Sequence, residues 1–228
     1  MKFMFDCDDT LYELIQPFKM AMRDFFPEIS ENFLEMYVCY RNAGDVVFDQ
    51  VQKHLITIDE AGEYRISEMC KKYHIPITEE QISSFQKKYR YYQGKITMHP
   101  CLEEFFKNSK STLAILTNGQ DAHQKMKVRA LHVYDYVEAS HIFTSDELNV
   151  AKPDPNAFKK AVDRMDGDVA SWFYIGDNYD IDMIGAKRAG MKTIHINRNH
   201  KNEGPMSDYL VYTDEELVAL LYTLEGKE

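Results

Sequence analysis

Apolar positions along the chain follow two different periods. Lys2 to Phe5 is a short apolar run that ends in Asp6-Cys7-Asp8-Asp9, which predicts a buried strand with acids at its carboxyl end. After it the spacing turns helical. Phe18, Ala21, Met22 and Phe25 share one helix face, as do Ile66, Met69, Cys70 and Tyr73, and then Ile82, Phe85, Tyr89 and Tyr92. Ser30 is a candidate helix cap, and Thr78 with Gln81 forms a candidate capping box. The stretch from about Glu13 to Lys95 therefore reads as all-helical.

The pattern changes again after Gly94. Leu113-Ala114-Ile115-Leu116 is a buried-strand run that stops at Thr117-Asn118-Gly119, and a helix from about Asp121 to Leu131 follows. Ile142-Phe143 forms the core of a further short strand. Asp154-Pro155 opens a helix with a cap and a proline at its first position, and Phe158, Ala161, Val162 and Met165 lie on one face. Trp172 to Ile175 predicts a strand ending at Gly176-Asp177, and the next helix closes at Gly190. Lys192 to Ile196 is one more strand, and Thr213 with Glu216 predicts a capping box for a last helix through Leu217, Leu220, Leu221 and Leu224. Strands alternating with helices predict an α/β fold with a doubly wound parallel sheet. The all-helical stretch interrupts that fold after its first strand. The expected division is a core of residues 1–13 and 95–228 with an inserted helical domain of 14–94.

A chain of 228 residues, 44% hydrophobic, can bury a substantial core. Its formal charge of −10 carries no lysine- or arginine-rich block, which argues against a nucleic-acid polymer as partner. No apolar run is long enough to span a bilayer, so no membrane partner is expected. The start, Met1 to Asp6, is too short and too quickly acidic for a signal peptide. The four cysteines (Cys7, Cys39, Cys70 and Cys101) lie far apart, without metal or disulfide spacing. A reducing, cytoplasmic setting is the expectation.

Three predicted strands end in polar groups: Asp6 with Asp8, Thr117-Asn118, and Asp177. Ligands of open parallel sheets bind beyond the carboxyl ends of the strands, so these groups are expected to converge. Asp6, Asp8 and Asp177 together make an all-oxygen site that suits Mg²⁺ better than zinc. Lys152, fixed between Ala151 and Pro153 before a helix, is the candidate cation that offsets their charge.

The order Asp6-Cys7-Asp8-Asp9-Thr10-Leu11, Leu116-Thr117-Asn118-Gly119, Lys152-Pro153 and Gly176-Asp177-Asn178 with Asp182 resembles the four motifs of the haloacid dehalogenase superfamily. The helical insert resembles that superfamily's helical cap. The resemblance implies Asp6 as nucleophile and Asp8 as acid/base, with the Asp8 backbone carbonyl also on Mg²⁺. It implies Thr117 and the Asn118 backbone as phosphate-holding groups, and Lys152 as the charge-balancing lysine. Asp177 is then a metal-binding acid, and Asp182 a second one acting directly or through water. Asn178 departs from the serine common at its position, and Cys7 holds a variable position.

The resemblance thus implies Mg²⁺-dependent hydrolysis of a small phosphomonoester through a phosphoaspartyl group on Asp6. A nucleoside monophosphate is the leading substrate, by likeness to the house-cleaning nucleotidases, and a sugar phosphate stands close behind. Arg41, in Tyr40-Arg41-Asn42-Ala43-Gly44-Asp45, interrupts the helical pattern and belongs either to a loop that reaches the substrate or to an ordinary interhelical turn. The rival readings are a phosphomutase, a dehalogenase, which should need neither Asp8 nor metal, and a non-catalytic binding protein on the same fold. Monomer and homodimer are both open.

Overall fold

The computed structural model describes residues 1–29, 31–53 and 55–226. The chain begins with β1 (Lys2–Phe5) and continues into four helices: α1 (Gln16–Phe25), α2 (Phe33–Gln52), α3 (Ile58–Lys72) and α4 (Glu79–Gln93). Next come α5 (Pro100–Asn108), β2 (Thr112–Thr117), α6 (Asp121–Ala130), β3 (Ile142–Thr144), α7 (Ser145–Leu148) and α8 (Pro155–Asp163). After β4 (Phe173–Gly176) a π-helical turn, Tyr179–Met183, leads into α9 (Ile184–Ala189), β5 (Lys192–Ile196), β6 (Tyr209–Val211) and α10 (Asp214–Glu225). Two compact units result, Met1–Glu13 with Thr97–Glu228, and Leu14–Ile96. No helix among the described residues is long and apolar enough to cross a membrane.

The first unit is a six-stranded sheet in the order β3-β2-β1-β4-β5-β6, with every pairing parallel. The chain winds outward from β1 through β2 and β3, then returns to the other side of β1 for β4, β5 and β6. The order reverses at β1, and the crevice beyond its carboxyl end is where such sheets place ligands. Phe3, Met4 and Phe5 are fully buried, as a central strand covered on both faces requires. On one face Met4, Leu116 and Tyr174 pack with Phe158 of α8 and Met183. On the other, Phe3 and Phe5 meet Phe105 and Phe106 of α5 at ring-centroid distances of 6.0 and 4.9 Å.

Local signals explain several helix ends. Asp154 accepts from Asn156 N–H at 2.8 Å with Pro155 in the first turn, and Gly190 ends α9 at φ 104°. Thr213 caps α10, but Glu216 reaches past it to Tyr212 N–H at 2.8 Å, so the reciprocal box expected there is only half formed. α8 stops at Asp163, which leaves Met165 to pack from the following turn.

The second unit is α1 to α4 around Phe18, Tyr40, Ile66, Met69 and Phe85, all fully buried. The Phe18 ring lies 5.2 Å from Tyr40 and 6.3 Å from Phe85, so Phe18→Ala should cost about 3–5 kcal/mol. The Thr78–Gln81 capping box on α4 is present, and Thr57 with Glu60 makes another on α3. The Ser30 cap falls outside the described residues. The break expected at Arg41 is absent: α2 runs through Tyr40 to Asp45, and Arg41 is an exposed mid-helix residue. The Arg65 side chain lies across Gly44, where a Cβ would meet its Nε at 2.5 Å.

Candidate active site

Three parallel strands deliver the acids and the hydroxyl. Asp6 extends β1, and its N–H donates to the Ile175 carbonyl of β4 at 2.8 Å. Thr117 is the last residue of β2, and Asp177 follows β4 directly. Asp182 arrives through the π-turn, whose first free N–H groups, those of Asp180 and Ile181, both donate to Asn178 Oδ1 at 3.1 Å. Gly176 makes room for it, since a Cβ there would meet Asp182 Oδ2 at 2.5 Å.

Lys152 is the centre of the cluster. Its ammonium donates to Asp6 Oδ1 at 2.7 Å, to Asp182 Oδ1 at 2.7 Å and to the Tyr174 hydroxyl at 2.8 Å, which spends all three of its protons. The Tyr174 hydroxyl in turn donates to the Leu116 carbonyl at 2.9 Å. Burial disfavours the Lys152 charge, but Asp182 and Asp6 outweigh it and hold the ammonium well above its ordinary value. Asn118 fixes the backbone beneath it: its side chain donates to the Lys152 carbonyl at 2.9 Å and accepts from Lys152 N–H at 3.0 Å. The Asn118 side chain is thus committed to Lys152 and its carbonyl accepts from Gln124 Nε2 at 2.8 Å, which leaves its backbone N–H as the group to offer a ligand. Thr117 is fully buried, and its hydroxyl donates to Gln124 Oε1 at 3.3 Å.

One lysine does not neutralise this many acids. Burial, with Asp182 and Asp8 nearby, pushes Asp6 up to about 7 against the pull of Lys152. Burial and the charges of Asp182, Asp6 and Asp9 push Asp177 up to about 8, and Lys201, 3.7 Å away, offsets little of it. Asp6, Asp177 and Asp182 each bring one carboxylate oxygen to within 4.8 Å of the others. An all-oxygen set with unbalanced negative charge fits a hard divalent cation. Asp8 is not a carboxylate member of that set.

Asp8 points instead toward α6. Its two oxygens accept from Lys127 Nζ at 2.9 and 2.7 Å, from the Tyr12 hydroxyl at 2.6 Å and from Gln124 Nε2 at 3.4 Å. Burial alone would raise its pKa, but the Lys127 charge and these bonds lower it. Asp8 is therefore held ionised beside a buried lysine, while Asp6, two residues earlier, is pushed the other way. Cys7 between them is fully buried, and burial lifts its thiol well above the usual range, which removes it as a nucleophile.

The fold thus gathers Asp6, Lys152, Asp177 and Asp182, with Thr117, Asn118 and Asp8 around them. Arg41 belongs to the helical unit. Lys127, Gln124, Tyr12 and Tyr174 were not legible as site residues. In the structure Gln124 and Lys127 are buried on the same side of α6 as Val128.

The chain matches the description "haloacid dehalogenase-like hydrolase" over residues 3–190. It is 25% identical to the glyceraldehyde 3-phosphate phosphatase of Methanopyrus kandleri, covering 97% of both chains. It is 38% identical to the enzyme of that name from Pyrococcus abyssi, over 36% of this chain and 34% of the relative. It is 30% identical to pyrimidine 5'-nucleotidase YjjG of Escherichia coli, over 48% of this chain and 49% of the relative. These two matches thus span half or less of the relatives' lengths. Among solved structures, magnesium-bound HAD-hydrolase YfnB from Bacillus subtilis shares the fold with a TM-score of 0.70, 23% identity and coverage of 96% and 97%. With the strand-end acids, the lysine and the inserted helices matched along most of its length, the chain belongs to the haloacid dehalogenase-like hydrolase family.

Proposed function

We propose that the protein is a Mg²⁺-dependent phosphohydrolase of small phosphomonoesters that works through a phosphoryl group on Asp6. The observation that carries the reading is the pairing of Asp6 with Lys152 at 2.7 Å, one strand from Asp177 and two residues from a separately held Asp8. A carboxylate attacks an anionic phosphoryl group poorly unless charge is offset, and Lys152 supplies one fixed positive charge for that purpose. Asp6, Asp177 and Asp182, together with the Asp8 carbonyl, would hold Mg²⁺, which when bound supplies the remaining positive charge at the phosphoryl oxygens. Both Asp182 oxygens already accept, from Lys152 and from Asn178 N–H at 3.1 Å, which favours contact through water for this residue.

Asp6 attacks phosphorus through one carboxylate oxygen, and the bond to the leaving oxygen breaks. For this step Asp8 must first take up a proton against the pull of Lys127; it gives that proton to the leaving oxygen and regains one from water in the next step. Water then attacks the phosphorus of the aspartyl phosphate, Asp8 takes its proton, and the bond to Asp6 breaks to release phosphate. Thr117 and the Asn118 backbone N–H are the proposed holders of the transferring phosphoryl oxygens, a role for which the Thr117 hydroxyl must turn from Gln124. Asp8 as found, ionised against Lys127, is in the form that the second step requires.

The substrate class follows the relatives, which act on glyceraldehyde 3-phosphate or are named for pyrimidine nucleotides. A nucleoside monophosphate or a sugar phosphate fits this class, with Arg41 as a candidate selector in the helical unit. Four free cysteines suit a cytoplasmic setting. The test is a panel of phosphate esters assayed with Mg²⁺ and in excess chelator. Hydrolysis that needs Mg²⁺ is expected, and full activity in chelator, or activity on haloacids alone, would overturn the reading.

A further inference from the structure

The segment that carries Asp8 is folded back on itself. Leu11 N–H donates to the Cys7 carbonyl at 3.0 Å and the Tyr12 hydroxyl donates to Asp8. Asp9, between them, takes a φ of 55°, a left-handed conformation open to aspartate more than to most side chains, and here its surroundings hold it. Those surroundings come from distant parts of the chain. Arg198, just beyond β5, donates through Nη1 to the Asp9 carbonyl and through Nη2 to the Thr10 carbonyl at 2.9 Å. Its guanidinium is oriented by Asp214 at the start of α10, which accepts from Nε at 3.1 Å and from Nη2. His99 completes the arrangement: its backbone N–H donates to the Leu11 carbonyl at 3.1 Å, and its ring Nδ1 lies 3.3 Å from Asp214. Three consecutive carbonyls of the turn are therefore held from outside it. The side chains of Arg198 and Asp214 are 16% and 13% exposed, too enclosed for an ordinary surface pair.

We infer that Arg198, aligned by Asp214, is a positioning residue that fixes the Asp9–Thr10 turn and so sets where Asp8 meets the leaving group. A planar guanidinium suits this task because it grips two carbonyls and one carboxylate at fixed angles, which an ammonium cannot do. The inference rests on Asp8 acting as the acid/base of a phosphohydrolase. A plain loop staple would slow all substrates alike, whereas a misplaced acid harms those that need protonation.

The experiment compares Arg198→Ala, Arg198→Lys, Asp214→Asn and Asp8→Asn with the wild type, with Mg²⁺ present. Each is assayed on p-nitrophenyl phosphate and on a simple alkyl phosphate, and its melting temperature is recorded. Arg198→Ala should lose roughly tenfold or more further kcat on the alkyl ester than on the nitrophenyl ester. Arg198→Lys should recover part of that gap, and Asp214→Asn should show a smaller gap of the same sign. Equal losses on the two esters, or none, would overturn the inference. Should Arg198→Ala fail to fold, Arg198→Lys and Asp214→Asn decide by the same comparison. A wild type inactive on both esters refutes the phosphohydrolase reading and the role of Arg198 with it. An active wild type with Asp8→Asn selective and the Arg198 variants unselective refutes the role of Arg198 alone.

Discussion

Asp177→Asn should separate stability from function at this site. In the metal-free fold, burial and then Asp182, Asp6 and Asp9 raise the Asp177 carboxyl from 3.8 to about 8. Between those values the group is protonated in the folded protein and ionised in the unfolded chain. The folded state then binds more protons, so the stability tied to this group is full below about pH 4 and is lost as pH rises toward about 8. At pH 7 the loss is roughly 4 kcal/mol. Asparagine has nearly the same shape and no charge to desolvate, so the variant escapes most of that loss. In a chain of this size about 1 kcal/mol moves the melting temperature by roughly 2–4 °C, so at pH 7 in chelator the variant should melt several degrees above the wild type. The gap should close near pH 4. Added Mg²⁺ should raise the wild type far more than the variant, which has lost a ligand, and the variant should be inactive. Thermal melts followed by circular dichroism across this pH range, with chelator and with Mg²⁺, make the measurement. A variant no more stable than the wild type near pH 8 in chelator, or a gap independent of pH, would refute the reasoning.

Asp8→Asn should slow hydrolysis most for esters with poor leaving groups and least for p-nitrophenyl phosphate, and a uniform loss would contradict its role as acid. Lys152→Met leaves Asp6 and Asp182 buried without their shared cation, so denaturant titration in chelator should show a loss of about 3–5 kcal/mol together with lost activity. Unchanged stability would mean that the carboxyls are neutral in the wild type. Arg41→Ala should lower kcat/KM for the preferred ester more than for a small generic ester, and equal losses would assign Arg41 to the support of its helix.

What the sequence made legible was local. A strand end, the residues just past it and the lysine before α8 are each short segments, and the parallel sheet brings their ends together as its topology requires. What it hid depends on which elements become neighbours. The pairing of Lys127 with Asp8 exists because α6 follows β2, and β2 lies beside β1; no spacing in either segment announces it. Arg198 reaches Asp9 across 189 positions and was read as nothing. The run Tyr40 to Asp45 suggested a break because a glycine inside a helix and a glycine that ends one look the same in sequence. α5 went without an element although Leu102, Phe105 and Phe106 keep helical spacing behind Pro100, at the first position.

The central claim is that Asp6 carries the phosphoryl group between two displacements. The stereochemical course at phosphorus tests it most directly, with a phosphorothioate ester made chiral by oxygen isotopes and hydrolysed in labelled water with Mg²⁺. Two in-line displacements, first by Asp6 and then by water, predict retention of configuration. Inversion would mean that water attacks the ester directly, and would remove Asp6 as the nucleophile.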